Sequence, residues 1–254
     1  MINQFFISLL AVIFVGGVSG YLGSLMLTKR MALVGDALGH VALPGMGIAL
    51  LLGLNVSLGA FLFLLLGILI IWLFELKTSM PMEALVGVVF VASLAIGFLI
   101  VPNPELLETL IGDISNISFT AAVISILVSS AVLLAINKLY ANLILANISE
   151  DLALVKGINA KKYNFLYLFL IAIIVSLGVK VTGSLLVGAL VIVPAATARN
   201  FSKNLKQYSF GSLILGAVSC LIGMSLSRVT ALPVGPLIIL VSVFFFIISL
   251  FFKK

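Results

Sequence analysis

Nine long apolar runs, separated by short polar punctuation, account for most of the chain. They cover approximately residues 5–27, 35–53, 55–74, 83–101, 118–137, 163–181, 183–199, 209–227 and 235–252. An α-helix needs about 20 mostly apolar residues to cross the hydrocarbon core of a bilayer, so the pattern predicts an all-α integral membrane protein. It is a polytopic bundle of about nine transmembrane helices, forming a single transmembrane domain over 1–254. The sixth and seventh runs are one apolar stretch divided only at Lys180-Val-Thr-Gly183, where a turn is expected. The first run follows a Met-Ile-Asn-Gln start without the positive region of a signal peptide and is longer than such a peptide's apolar core, so it reads as a permanent span.

Composition narrows the function classes. Of 254 residues, 63% are hydrophobic and 9% charged, against about 45–50% and 25% in soluble domains. Mean hydropathy is +1.38. No soluble catalytic domain of any size fits beside the spans, and the chain is expected not to be an enzyme. The sequence contains no Gly-Lys dipeptide, so no phosphate-binding Gly-x4-Gly-Lys-Ser/Thr loop can be placed; ATP-driven work would need a partner ATPase. The net charge of +6 is scattered between apolar runs, which argues against nucleic acid as a partner and leaves membrane lipid as the surroundings. The lone Cys220 excludes an internal disulfide.

The basic residues also orient the chain. With nine spans and an outside amino terminus, Lys29, Arg30, Lys77, Lys138, Lys156, Lys161, Lys162, Arg199, Lys203, Lys206, Lys253 and Lys254 fall inside, 12 of the 14 Lys and Arg residues. Only Lys180 and Arg228 fall outside. The positive-inside rule therefore places the carboxyl terminus in the cytoplasm and the amino terminus outside.

Two segments lie between spans. The outer one, Pro102 to Ser118, carries Glu105, Glu108 and Asp113, three of the eight acidic residues. It reads either as a solvated turn or as an acidic mouth for a cation. The inner one, about 139–162, is the longest polar stretch and contains a short helix near 149–157. Ser149 suits its N-cap, Glu150 and Asp151 the positive end of the dipole, Lys156 the negative end, and Gly157 the left-handed position after it. Two turns cannot span a bilayer, so this helix lies at the cytoplasmic surface, as a connector or as something a soluble partner grips.

One pair of side chains stands apart. Asp36 opens the second span four residues before His40, the only histidine. Residues i and i+4 share a helix face, and ionisable groups within a membrane are functional candidates by default. Oxygen and imidazole nitrogen together suit Zn²⁺, Mn²⁺ or Fe²⁺; the bland alternative is a mutual hydrogen bond that ties helices together. Pro44 cannot donate to the His40 carbonyl four residues back, so that carbonyl must find another partner or line a wet cavity. Two side chains are too few for a tetrahedral site, and a two-fold dimer would double them. Pro194 likewise kinks the seventh span or frees a carbonyl in it. Gly16, Gly20 and Ser24, spaced by four, and Gly35 with Gly39, mark close helix packing. A remote alternative is a rhomboid-like intramembrane protease, from the Gly17-Val-Ser19-Gly20 pattern with His40 as base.

Met31-Ala-Leu-Val-Gly-Asp-Ala-Leu-Gly-His-Val-Ala-Leu-Pro-Gly45 closely resembles a signature of the permease subunits of bacterial ATP-binding-cassette (ABC) importers for zinc, manganese and iron. There the signature reads Asp-Ala-Leu-Ser-His, and Gly39 replaces the serine. Glu83-Ala-Leu-Val-Gly-Val-Val-Phe90, Leu110-Ile-Gly-Asp-Ile114 and the Pro-Ala-Ala-Thr-Ala-Arg end of Gly183–Arg199 extend the resemblance over nearly the whole chain. The cytoplasmic helix departs in having Ser149 where the family often has aspartate, while Ala153 and Gly157 match.

The resemblance implies a type II ABC importer-like permease in the bacterial cytoplasmic (inner) membrane. It implies a homodimer that binds no permanent cofactor and passes a divalent metal, zinc, manganese or iron, coordinated by Asp36 and His40. Partners would be a cytoplasmic ATPase, gripped through Ser149, Glu150, Asp151, Ala153 and Gly157, and an extracytoplasmic solute-binding protein. Alternatives are the same architecture importing a metal chelate (siderophore, haem or cobalamin), or a proton-coupled secondary transporter.

Overall fold

The computed structural model describes residues 2–100, 118–184 and 186–252, and every regular element among them is an α-helix. In chain order these are α1 (Ile2–Thr28), α2 (Val34–Val41), α3 (Leu43–Leu51), α4 (Val56–Lys77), α5 (Met82–Ile100), α6 (Phe119–Ile148), α7 (Glu150–Val155), α8 (Ala160–Thr182), α9 (Val187–Arg199), α10 (Leu205–Thr230) and α11 (Val234–Leu250). Among the described residues, seven stretches are long and apolar enough to cross a membrane, α2 and α3 counting as one, and α9 and α11 are shorter apolar helices. Each of the nine apolar runs in the sequence therefore yields helix. Glu105, Glu108 and Asp113 lie outside the described residues.

Three boundaries differ from the hydropathy reading. The second span is interrupted at Ala42, where α2 hands over to α3. Pro44 sits in the first turn of α3, where a missing N–H is tolerated. The Ala42 N–H donates to the Leu38 carbonyl at 3.3 Å and also points at the His40 carbonyl, and the ladder resumes at Met46 N to Ala42 O, 3.0 Å. Helix α6 runs eleven residues beyond the apolar stretch, because its polar positions meet other helices. Asn142 donates to the Tyr163 hydroxyl at 2.8 Å, and Asn147 donates to the Thr28 carbonyl at 3.1 Å, where α1 ends. Helix α9 begins only at Val187, after Gly183 closes α8 with φ +83°, a conformation open to glycine at little cost. Pro194 lies inside α9 without ending it.

Helices α1, α2–α3 and α8 form the buried centre, while α4, α5 and α6 lie at the periphery. Along α4, Leu58, Leu62, Leu66, Leu69 and Leu73 are exposed, while Ala60, Leu64, Gly67, Ile68 and Ile71 are buried. An exposed leucine stripe at helical spacing is stable against lipid and not against water. Helix α1 packs along α10 through small residues on both sides. Gly16 lies on Gly216 and Cys220, Gly20 on the Ser212 carbonyl, and the Ser24 hydroxyl donates to that of Ser209 at 2.9 Å. Close approach of backbones is what holds helices together where apolar burial gains nothing over lipid.

The ends of α1 and α4 and the start of α8 meet at one face of the bundle. There Lys29 Nζ donates to Asn164 Oδ1 at 2.6 Å and lies 5.0 Å from the centre of the Tyr167 ring. Asn164 in turn donates to Glu75 Oε1 at 2.9 Å, and Lys161 Nζ donates to the Glu75 carbonyl at 3.1 Å. Burial pushes Lys29 down to about 8, against the opposing pull of Glu75. Because its folded value lies below its unfolded one, the unfolded chain binds the extra proton between pH 8 and 10.5, and stability rises with pH across that window. The melting temperature of the detergent-solubilised protein should therefore climb between these values in wild type, and climb less in Lys29→Met.

Candidate functional site

The eight residues of α2 carry Asp36 in the first turn and His40 in the last. Leu33, at the N-cap, offers no side-chain acceptor to the free N–H groups, so a carboxylate in this turn sits at the positive end of the helix dipole. Both side chains are half-buried. They are four residues apart and thus on one face.

Helices α9 and α5 pack on α2 and shape the site. Gly188 of α9 lies directly on Asp36: a methyl group added there would fall 2.6 Å from the Asp36 Cα and Cβ and 2.7 Å from Oδ1. Gly39 plays the reciprocal part, a methyl group there falling 2.9 Å from the Ser184 carbonyl oxygen and meeting Val187 as well. On the other side, the Phe90 ring of α5 lies 5.5 Å from the His40 ring, inclined at 48°.

Between α2 and α5 a cavity of about 190 Å³ opens, lined by Asp36, Ala37, Glu83, Val86, Gly87 and Phe90. It presents two carboxylates and no cation, a setting that favours a positive guest. His40 Nδ1 is buried without a hydrogen-bond partner, so its lone pair or proton is uncommitted. Among the described residues no three His, Cys, Asp or Glu side chains come together. Asp36 and Glu83 share that cavity, while His40 lies one turn further along α2, outside its lining.

The sequence singles out Asp36 and His40 but neither Gly188 nor the α5 face. A signal exists in retrospect. Glu83, Val86, Gly87 and Phe90 sit at i, i+3, i+4 and i+7, one stripe of a helix whose other residues are apolar except Ser93. Ser19 is fully buried with its hydroxyl unpartnered, and offers no nucleophile to a substrate.

The surface helix is seen as the sequence reads it. Helix α7 spans Glu150–Val155, the Ser149 hydroxyl accepts the Leu152 N–H at 3.3 Å, and Gly157 takes φ +73°. Ala153 is fully buried with Ala146, Ile158 and Ala160. Asp151, Leu152, Leu154 and Val155 point outward.

A polytopic bundle with a half-buried oxygen–nitrogen pair beside a cation-friendly cavity, and a capped helix outside it, has the build of a membrane transport subunit. The chain belongs to the ABC 3 transport family, whose model matches residues 1–253. It is 30% identical over 256 residues to the high-affinity zinc uptake system membrane protein ZnuB of Buchnera aphidicola, with 98% of each chain covered. It is also 30% identical over 248 residues to the manganese import system permease protein ScaB of Streptococcus parasanguinis, covering 96% of this chain and 89% of that protein. Among solved structures, PsaBC from Streptococcus pneumoniae in complex with Fab superposes with a TM-score of 0.82 at 28% identity, covering 98% of this chain and 95% of that one.

Proposed function

We propose that this chain is the membrane permease of an ABC importer that passes a divalent transition-metal ion, zinc, manganese or iron, with Asp36 and His40 as transient ligands. The observation that carries the reading is the unpartnered His40 Nδ1 one helical turn from Asp36, whose carboxylate shares a cavity with Glu83. Few protein ligands suit a passage, because an ion that keeps part of its water shell can leave as well as enter. A second copy related by a two-fold axis would double the pair to four groups. Under the positive-inside orientation, α2 is the cytoplasmic part of the second span, with Asp36 in its first turn and His40 in its last.

Helix α7 is assigned as the contact for a separate cytoplasmic ATPase. Its cap and buried Ala153 hold it in place, while its outward Asp151, Leu152, Leu154 and Val155 supply an apolar face with a charge at one end. Ser149 and Glu150 begin this helix and Gly157 follows it. Ser149→Ala should weaken the cap by about 1 kcal/mol and lower ATP-driven uptake while leaving the spans folded, as read by circular dichroism alongside uptake. A solute-binding protein would deliver the ion from outside, where Glu105, Glu108 and Asp113 would form an acidic mouth.

The test is elemental mass spectrometry of cells expressing the chain with and without its ATPase and binding protein. Accumulation of one divalent metal that requires the ATPase supports the importer. Metal accumulation without any ATPase would favour a proton-driven carrier instead. Accumulation of a chelate alone would transfer the reading to a larger cargo.

A further inference from the structure

Helix α7 is not an isolated turn on the surface. Ala153 packs with Ala146 of α6 and with Ile158 and Ala160 at the entry to α8, so the three helices meet in one small apolar cluster. Both helices that flank α7 also reach the end of α1. Asn147 of α6, two residues before Ser149, donates to the Thr28 carbonyl at 3.1 Å. Asn164, near the start of α8, accepts from Lys29 Nζ at 2.6 Å. Helix α1 is therefore held at its last residue and at the next one, once from each side of α7. Further along α8, the buried Tyr167 hydroxyl donates to the Leu22 carbonyl of α1 at 3.2 Å.

Beyond Lys29 the chain turns directly into the helix that carries Asp36. Arg30 takes φ +58°, its N–H donates to the Leu27 carbonyl at 3.3 Å, and Met31 N–H donates to the Met26 carbonyl at 2.9 Å. Those two bonds close a Schellman turn. Val34 N–H then donates to the Met31 carbonyl at 3.1 Å as α2 begins. Met26 also lies beside Gly35 of α2, its Cε 3.4 Å from where a methyl group on that glycine would sit. A turn closed by its own hydrogen bonds has little slack, so a shift at the end of α1 carries the start of α2 with it. On another side the turn borders a cavity of about 640 Å³ where α10 begins, lined by Arg30, Arg199, Lys203 and Tyr208 among others, which leaves it room to move.

We propose that Asn147 and Asn164 are positioning residues that pass a displacement of α7 to the end of α1, and through the turn at 29–33 to Asp36. This relay rests on the assignment of α7 as the ATPase contact. Neither asparagine meets the ion; together they set where Asp36 sits when the ATPase moves α7. A rival route leads from α8 to α4, through Asn164 to Glu75 Oε1 at 2.9 Å and Lys161 to the Glu75 carbonyl at 3.1 Å. No residue of α4 lines the Asp36 cavity, so that route ends short of the site.

Continuity of contacts is not coupling, so the test reads transport against energy use. The full chain is reconstituted in liposomes with its ATPase and binding protein, and zinc, manganese and iron(II) ions are each offered. Metal imported and ATP hydrolysed are measured in the same vesicles, and melting temperature is measured alongside. Asn147→Ala and Asn164→Ala should each lower the metal moved per ATP about two- to threefold, and the double variant about fivefold, with hydrolysis near wild type. Asn147 is exposed, so its variant reports even if Asn164→Ala folds poorly. A purely structural role would lower the melting temperature and reduce hydrolysis and transport together; an unchanged ratio overturns the relay. Lys161→Met removes a bond to α4 and should keep the wild-type ratio. An equal fall in that variant overturns the route through α1. Wild type that imports none of the three metals overturns the importer reading itself, and the relay with it.

Discussion

Asp36→Ala should sharply lower metal accumulation in cells that supply the partner subunits, and His40→Ala should do the same at equal membrane expression. Each substitution removes one of two groups on a single helix face, and a lost hydrogen-bond-strength contact to a charged group is worth about 1.5–3 kcal/mol. That corresponds to a fall in uptake of about tenfold or more per variant. Asp36→Asn keeps the shape and removes the charge, so it should behave like Asp36→Ala if the carboxylate meets a cation. A mere packing hydrogen bond between the two side chains would survive in the amide, and uptake with it. Elemental mass spectrometry separates the two. A permease that carried a chelate would keep uptake in all three variants.

Gly188→Leu should lose uptake just as fully with both ligands intact. Any side chain at 188 must occupy space held by the Asp36 Cα and Cβ, 2.6 Å from a first carbon there, and backbone cannot rotate away as a flexible side chain can. Overpacking of this kind costs about 1–3 kcal/mol, so the melting temperature in detergent falls as well. Gly188→Ala should show a smaller fall of both. Gly87 is the control on the opposite wall of the same cavity. Nothing lies within 4 Å of a methyl group added there, so Gly87→Ala should melt as wild type does. A Gly188→Ala protein that melts and transports like wild type would show that α9 does not press on Asp36.

The route from sequence to site was short for α2 and long for its neighbours. Asp36 and His40 stand out because a charge and the sole histidine in an apolar run leave few structural roles to fill. Gly188 does not stand out, since it is one of 22 glycines. Only the docking of α9 onto α2 distinguishes it from Gly87, which meets nothing. Glu83 reads as a span-end carboxylate until α5 is laid beside α2 and turns it toward the Asp36 cavity. The eleven extra residues of α6 were hidden for a related reason. Hydropathy scores Asn142 and Asn147 as polar, but in place their amides are bonded to Tyr163 and to the end of α1.

The short helix α7 marks the opposite case. Its cap at Ser149 and its left-handed Gly157 are local devices, complete within nine residues, and both are found where the sequence places them. The basic cavity at the start of α10 is the reverse again. Arg30 and Tyr208 are 178 positions apart, and nothing local says that they share a wall.

By itself, the sequence determined that the chain is a helical membrane bundle, where its apolar runs lie, and which two intramembrane side chains could meet an ion. Those are properties of short windows: hydrophobic length against bilayer thickness, capping chemistry within one turn, and i to i+4 spacing on one helix. The tertiary structure alone decided which glycines carry close contacts, which carboxylate joins the Asp36 cavity, and where Arg30, Arg199 and Lys203 gather. These depend on which helix faces meet. In lipid that choice is made by backbone fit and buried hydrogen bonds between distant segments, since hydrophobicity does not distinguish one apolar face from another.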